Sequence, residues 1–405
     1  MSVFARQEII AGWRQDLIGG SRVLVYGRGW LGCFTVWALT SLGVFEVVWV
    51  GAPSPAAASF GGFLVRDHAP SLNALLCEYP VEPERPPEID WVLNGPPVRM
   101  AIACAAGPAR RLLAATAASR GIPFLDVACA ARGEATGLED PVPAMMAAAL
   151  AADEFRQLVN PLPALADREL GGIGFVSPAV AAPGPVLLVG VGGIGVYCAV
   201  LLAAAGVPTL MLDGDTIEIT NLNRQGLFTA SDAAAARAKA EAAAERLAAL
   251  FPSCRLRGVA ARIGDDAEDA MRQAAPAAIV SAVDNAATRL LLSRFGARLG
   301  VPVVQAGTDL FSADCFVQDP DGPVLDQQMR GALSAAAASG AARRGGGCAA
   351  NPSYVVPGMV AGAFAAARAL AVLGGARALP SLHWRSGVLP RERREIRDEF
   401  ACATV

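Results

Sequence analysis

The sequence has no pair of cysteines at metal-binding spacing. Its nine cysteines stand apart, and no Cys-x-x-Cys motif occurs in the 405 residues. Because a tetrahedral zinc site usually draws on such pairs, we expect no structural zinc. Isolated cysteines among apolar neighbours indicate reduced thiols, which favours a cytoplasmic protein.

Long basic runs and an export signal are also missing. The net charge is −3 and no lysine- or arginine-rich run stands out, so nucleic acid is not an expected partner. The N-terminus lacks the apolar segment of a signal peptide. The apolar stretches near 30–50 and 196–212 are interrupted by glycine and turn residues. We therefore interpret them as buried strand–helix pairs and expect no membrane association.

Two segments of the chain are similar to each other. Ser21–Gly32 and Pro185–Gly195 each contain an apolar strand, a glycine-rich turn and the start of an apolar helix. A second strand follows each of them after a Gly-Val step, at Gly43 and at Gly206. Residues 100–126 and 278–305 then repeat a further strand, an Arg-Leu-Leu helix and a Gly-x-Pro strand start. This order predicts an α/β protein of two doubly wound, Rossmann-like units in tandem, with a linker around 161–185.

The two halves differ in the residues that follow their strands. The second strand of the first half ends at Gly51 with no acid, whereas Asp213 follows its counterpart. Gly107 is matched with Asp284, so a second acid is missing from the first half. Trp30 lies inside the first glycine turn and is large enough to fill a nucleotide pocket. The second half is therefore predicted to carry the working site, and the first to be inactive.

The glycine turn of the second half and the acid after the next strand suit a nucleotide. Free N–H groups at a helix start attract phosphate, and the carboxylate of Asp213 is placed to bind ribose hydroxyls. ATP and NAD are equally compatible with these two features. The turn contributes Gly190, Gly192, Gly193 and Gly195.

The polar run from Asp215 to Gln225 favours ATP, because a triphosphate needs its charge neutralised and its oxygens oriented. Arg224 offers a planar fork of donors, and Lys239 near the next helix start offers a point charge. Asp284 follows an apolar strand, where a carboxylate at the sheet edge could hold Mg²⁺. The other candidate nucleotide-binding residues are Asp215, Asn221, Asn223, Gln225 and Asn285.

Together these elements resemble the ubiquitin-activating-enzyme-like adenylating family, of the ThiF, MoeB, HesA and MccB type. The resemblance covers residues 186–370 and includes the late helix start at 351–362. It implies that 166–375 form an ATP-binding adenylation domain with a mixed, largely parallel sheet, preceded by a degenerate unit (1–165) and followed by a tail (376–405). It also implies that Asp284 holds Mg²⁺ while a substrate carboxylate attacks the α-phosphate to give an acyl-adenylate and pyrophosphate. The carboxylate would end a peptide or small carrier protein, or belong to a small acid, in a biosynthetic pathway.

The first half resembles the same family faintly, through Arg6-Gln7 and its glycine turn. Members work as pairs of units, and an N-terminal arginine of one unit reaches the triphosphate bound to the other. The resemblance implies this role first for Arg6, with Arg14 and Arg156 as alternatives. The halves are expected to form a pseudo-dimer within the chain or to assemble as a homodimer.

Cys348 is a possible thiol nucleophile, because it follows the Gly/Ala-rich stretch 335–347 and precedes a predicted helix start. Two other functions remain open. One is a non-catalytic scaffold that binds a peptide in a modification complex, which leaves Arg224, Lys239 and Asp284 without a purpose. The other is an NAD-dependent oxidoreductase, which gives no role to the cluster at 221–225.

Overall fold

A computed structural model gives the fold of the chain and contains two β-sheets with helices packed around them. It describes residues 2–51, 54–80, 94–105, 107–127, 140–160, 184–264, 274–328, 331, 334–335, 351–386 and 391–393.

The first sheet has five parallel strands in the order β3-β2-β1-β4-β5. The chain builds outward from β1 to β3 and then returns to the other side of β1 with β4. Such a reversal creates the crevice at which doubly wound sheets bind ligands. The strands are β1 (Arg22–Tyr26), β2 (Glu46–Gly51), β3 (Leu75–Pro80), β4 (Met100–Ala103) and β5 (Phe124–Asp126).

The second sheet has eight strands in the order β13-β12-β11-β10-β9-β6-β7-β8. Its parallel part, β8-β7-β6-β9-β10, repeats the order of the first sheet, and β11 to β13 add antiparallel strands. The prediction of tandem doubly wound units, the second with a mixed sheet, is confirmed. The strands are β6 (Val186–Val189), β7 (Thr209–Leu212), β8 (Leu256–Val259), β9 (Ala278–Ser281), β10 (Val303–Asp309), β11 (Ser312–Gln318), β12 (Ser381–Arg385) and β13 (Arg391–Arg393).

The last two strands lie within 376–405, the segment interpreted from sequence as a tail. Leu382 of β12 pairs with Cys315 of β11, so this part of the chain extends the second sheet. The predicted linker at 161–183 lies outside the described residues.

Side-chain caps start some of the helices, such as the helix at Ala286–Leu299. The side chain of Asn285 accepts a hydrogen bond from the Thr288 N–H at 2.8 Å to start α10, and Gly300 ends it in the left-handed conformation (φ 69°). The α4 helix continues through a wider turn (Leu64–His68) into Ala69–Ser71. The helices are α1 (Ala5–Glu8), α2 (Gln15–Gly19), α3 (Trp30–Leu42), α4 (Ala58–Phe63), α5 (Pro108–Ser119), α6 (Pro141–Val159), α7 (Gly195–Ala204), α8 (Ala230–Ala234), α9 (Lys239–Leu250), α10 (Ala286–Leu299), α11 (Leu325–Gln328) and α12 (Val355–Leu373).

The two halves share one apolar core. Helix α6 packs on α3 of the first half and on α12 of the second, and α12 also packs on α7. Trp37 of α3 meets Tyr197 of α7 with ring centroids 4.8 Å apart. Helix α12 is apolar and long enough to cross a membrane by length and composition, but 89% of its most apolar window is buried inside the protein. It is the central helix between the halves.

A buried hydrogen-bond network around an ion pair also joins the halves. Arg156 on α6 is 1% exposed, and its Nε donates to Asp153 Oδ1 at 2.8 Å. Its Nη2 donates to Ser386 Oγ at 2.8 Å, and that hydroxyl donates to Asp153 Oδ2 at 2.7 Å. Ser386 follows β12, so the network ties the end of the second sheet to a helix of the first half.

Replacing Asp153 should therefore destabilise the whole protein. Asp153→Ala leaves the Arg156 guanidinium buried without its counter-ion, and such a loss costs about 3–5 kcal/mol. We expect this decrease in the free energy of unfolding in a denaturant titration. Asp16→Ala is the control, because the Arg14–Asp16 pair has side chains 58% and 61% exposed and its loss should leave the transition unchanged. A transition in Asp153→Ala equal to that of wild type would contradict the structural role.

Candidate nucleotide-binding site

The glycine turn between β6 and α7 has no room for side chains at two of its positions. Gly190 has a φ of 90°, and a Cβ there would lie 2.6 Å from the Ala282 carbonyl oxygen. A Cβ at Gly195 would lie 1.9 Å from the Gly190 oxygen. The nearest atoms to a Cβ at Gly193 belong to Arg224, at 3.8 Å. The sequence thus needs glycine to close the turn, and the turn lies beside the polar run that follows β7.

Helix α12 contacts the same turn. A Cβ at Gly358 would lie 2.1 Å from the Gly193 carbonyl oxygen, so the helix rests on the backbone of the turn. One helical turn further on, a Cβ at Gly362 would lie 2.5 Å from the Cβ of Tyr197 on α7. The helix start at 351–362, which was part of the family resemblance, therefore supports the glycine turn.

Asp213 follows β7 and is held next to the glycine turn. Its Oδ2 accepts a hydrogen bond from the Val191 N–H at 2.7 Å, and its Oδ1 accepts one from the Asp215 N–H at 2.8 Å. Each carboxylate oxygen retains a further lone pair for a ligand hydroxyl. The side chain is half-buried and its orientation is fixed by the backbone.

The cluster at 221–225 is buried although it is polar. Asn221, Asn223, Arg224 and Gln225 are between 0% and 7% exposed. Arg224 Nη1 donates to the Thr220 carbonyl at 2.5 Å and to Asn223 Oδ1 at 3.0 Å. Asn221 Oδ1 accepts from the Glu218 N–H at 3.0 Å, which caps a short helical turn. Within the described part of the chain, Asn221 Nδ2 and Gln225 Oε1 are buried without a hydrogen-bond partner.

Lys239 is the first residue of α9 and is 4% exposed. Its Nζ lies 3.4 Å from Asp215 Oδ2, and Asp215 also pairs with the exposed Arg262 at 2.9 Å. The chain carries 34 basic residues, and Lys239 is its only lysine. The one compact ammonium of the chain is thus buried beside the polar run, where burial of an unneeded charge would be unfavourable.

Asp284 and Asn285 follow β9 and have different environments. Asp284 is exposed at the carboxyl edge of the sheet, whereas the Asn285 side chain caps α10. Five residues further on, Arg289 is 6% exposed, and its Nη2 donates to the Ala306 carbonyl at 2.8 Å. Burial lowers the pKa of Arg289 to about 10, although the negative charge of Asp284 opposes this shift. In the sequence, Arg289 begins the Arg-Leu-Leu element shared by the two halves, and no site role was predicted for it.

Of the three arginines considered for the contact across the halves, Arg6 is the one whose sequence neighbour contacts the cluster. It is 5% exposed, and its carbonyl accepts from the Ser353 N–H at 3.1 Å. In the described residues, its Nε and Nη2 have no hydrogen-bond partner. Its neighbour Gln7 contacts Asn223 directly. By contrast, Arg14 is exposed in its pair with Asp16, and Arg156 belongs to the buried network described above.

The equivalent turn of the first half is filled by its own side chains. Strand register aligns Gly51 with Asp213, so the ribose-binding acid is missing there. Arg28 pairs with Glu78 and lies 4.6 Å from the Trp49 ring centroid. Trp30 is 5% exposed and stacks on Phe251 of the second half at 6.1 Å, so it packs between the halves.

One correspondence made from sequence shifts by a residue. Gly107 directly precedes α5, just as Asn285 directly precedes α10, so it corresponds to Asn285 and not to Asp284. The reason is that helix starts, which only the folded chain defines, set the register. Cys348, the possible nucleophile, lies outside the described residues.

A doubly wound sheet with a glycine turn, an acid after the second strand and a buried cluster of basic and amide groups defines a nucleotide-binding α/β protein. The ThiF family model matches residues 182–392, slightly more than half of the 405 residues. The chain belongs to the ThiF family.

Curated relatives match a shorter region. The sulfur carrier protein ThiS adenylyltransferase of Escherichia coli (strain K12) is 35% identical over 137 residues, which are 33% of this chain and 53% of that protein. The molybdopterin-synthase adenylyltransferase of Salmonella typhimurium is 37% identical over 120 residues, 29% of this chain and 47% of that protein. The chain thus spans about half the length of these relatives. Among solved structures, Escherichia coli MccB with ATP is similar over 52% of this chain and 63% of its own, at 21% identity and a TM-score of 0.43.

A methyl group at the contact between α12 and the turn should disturb the fold. Gly358→Ala must move the helix away from the Gly193 carbonyl, and overpacking of this kind costs about 1–3 kcal/mol. We expect a lower midpoint in thermal denaturation. Gly62→Ala is the matched control, because only the tip of the Arg66 side chain, at 3.4 Å, lies near its added Cβ. Equal midpoints for the two variants would show that α12 can withdraw without cost.

Proposed function

We propose that the protein activates a carboxylate by adenylation with ATP. A carboxylate oxygen of the substrate attacks the α-phosphorus, the bond from that phosphorus to the bridging oxygen breaks, and pyrophosphate leaves with the electron pair. The observation that carries the proposal is the buried polar cluster beside the glycine turn, in which the Arg224 side chain lies nearest to Gly193 and Lys239 pairs with Asp215. Buried cations near a phosphate-binding turn suit a highly charged anion, and a triphosphate supplies it.

Each part of ATP has a matching group in the second half. The glycine turn at the start of α7 offers backbone N–H groups to the phosphates. Asp213, fixed next to that turn, suits the ribose hydroxyls. The cations neutralise the charge that moves onto pyrophosphate as the bond breaks, and the partnerless amide atoms of Asn221 and Gln225 are suited to orient phosphate or base. NAD would require none of these cations.

Mg²⁺ fits the donor set at the sheet edge. Proteins often bind this ion through one or two carboxylates while nucleotide phosphates supply further oxygen ligands. Asp284 is exposed at the carboxyl end of β9 and could serve as such a carboxylate. When bound, Mg²⁺ would lower the negative charge of the triphosphate and of the leaving pyrophosphate.

The names of the relatives suggest a class of substrate, which we include in this proposal. The Escherichia coli relative is named for adenylation of the sulfur carrier protein ThiS. A protein or peptide C-terminus is therefore the first substrate to test, and a small acid the second. Transfer of the acyl group to Cys348 or to another nucleophile would complete a biosynthetic step.

The reaction is tested by exchange of labelled pyrophosphate into ATP, with a sulfur carrier protein, short peptides and small acids as substrates. Asp284→Asn should lower the exchange rate by about 10²-fold, because charge stabilisation at the triphosphate is lost. Asp321→Asn is the control, because this exposed aspartate follows the end of β11 that pairs with the start of β10, at the opposite edge of the sheet. Tight peptide binding without any exchange would instead favour the scaffold function.

The single lysine permits a second test. An acyl-phosphate derivative of ATP transfers its acyl group to amines near the terminal phosphate, and Lys239 is the only side-chain amine in the chain. We expect one added acyl group, located by peptide mass mapping, and its loss when ATP is in excess. Lys239→Arg keeps the charge and should remain unlabelled. Labelling at Lys239 that excess ATP does not reduce would count against a phosphate role for this residue.

A further inference from the structure

The first half holds the loop that carries Arg224, residues 219–230, at three places. Asn223 Nδ2 donates to Gln7 Oε1 at 3.0 Å. The backbone at Gly226 lies against Trp37, since a Cβ there would be 2.2 Å from the indole nitrogen. The Ala230 N–H donates to Ser71 Oγ at 3.1 Å. Of these, the bond to Gln7 is adjacent to Arg224 and is directional.

Gln7 is fully buried, and its orientation is fixed from the first half. Its Nε2 donates to the carbonyl oxygen of Leu42 at 2.9 Å and to Gln15 Oε1 at 2.8 Å. A backbone carbonyl can only accept, so the nitrogen of the Gln7 amide must face Leu42. The amide oxygen is thereby turned toward the second half.

This orientation passes to Arg224 through Asn223. Because the Gln7 oxygen can only accept, Asn223 must present its nitrogen to it and its oxygen to the other side. That oxygen accepts from Arg224 Nη1 at 3.0 Å. Gln7 and Asn223 are both 0% exposed, so water does not compete for these groups. Every bond in this chain is donated in one direction, from the Arg224 guanidinium to the Leu42 carbonyl at the end of α3.

We propose that Gln7 is a positioning residue, which acts through Asn223 to aim the Arg224 guanidinium at the nucleotide. The inference rests on the proposed function and deepens it, because it assigns the first half a task. The first half holds the phosphate-binding loop of the second half in place. Gln7 makes the directional polar contact for this task.

The test compares nucleotides that differ in their phosphates. Gln7→Met has similar volume but leaves Asn223 without its acceptor, so the amide can turn and Arg224 loses its orientation. We expect the affinity for Mg·ATP, measured by calorimetry, to fall about tenfold, since a charge-assisted contact worth about 1.4 kcal/mol corresponds to that factor. The affinity for AMP should be unchanged, because AMP lacks the phosphates that Arg224 would contact.

Ser21→Ala is the control. Ser21 is buried in the first half, and its hydroxyl donates to the Leu17 carbonyl at 2.8 Å, away from the bonds that lead from Leu42 to Arg224. It should lower the unfolding midpoint as Gln7→Met does, with ATP and AMP affinities at the wild-type values. Unchanged AMP binding also shows that each variant is folded.

Asn223→Ala removes the second-half member of the same chain of hydrogen bonds. It keeps the test decisive if Gln7→Met does not fold. Each single variant should show the ATP-selective loss, and the double variant should be no weaker than either, because both remove one path. Equal losses for ATP and AMP, or additive losses in the double variant, would overturn the positioning role alone. Absence of ATP binding in the wild-type protein would overturn the adenylation function and the positioning role together.

Discussion

Burial of positive charge beside the glycine turn is the constraint on which the rest of the architecture depends. Arg6, Arg224 and Lys239 are each at most 7% exposed, and the carboxylate that pairs with Lys239, Asp215, is shared with Arg262. Such groups are stable in the interior only if surrounding elements hold them and an anion completes the charge. The contacts of α1, α12 and the loop at 219–230 all serve this one region. Their convergence explains why the site lies between the halves and not within one sheet alone.

Duplication of the fold places two equivalent crevices in one chain, and they differ in the residues that follow their second strands. Both sheets reverse direction at the same point in their strand order. In the first, Gly51 stands where the second has an acid, and Arg28 pairs with Glu78. The helix that follows the first glycine turn packs on the second half through Trp30 and Trp37.

The sequence predicted those features that depend on local geometry. Glycine turns, strand ends and helix starts lie within a few residues of one another, so Gly190, Asp213 and Lys239 could be placed from spacing alone. The contact of Gln7 with Asn223 could not, because 216 residues separate them and their approach depends on how the halves pack. The same holds for Gly358, whose proximity to Gly193 follows from the path of α12. The side-chain oxygen of Asn285 caps α10, and the prediction that this residue binds nucleotide stays a prediction.

The position of helix α12 also affects how the chain folds during synthesis and whether either half can be deleted. The face of α3 that it and α6 cover is apolar and complete only when residues 355–373 have been synthesised. During synthesis the apolar face of α3 therefore stays partly uncovered until nearly the whole chain has emerged. A deletion that removed the first half would leave α12 and α7 with apolar faces open to water. The two copies therefore depend on each other: each can diverge further, but removing one would expose apolar surface of the other.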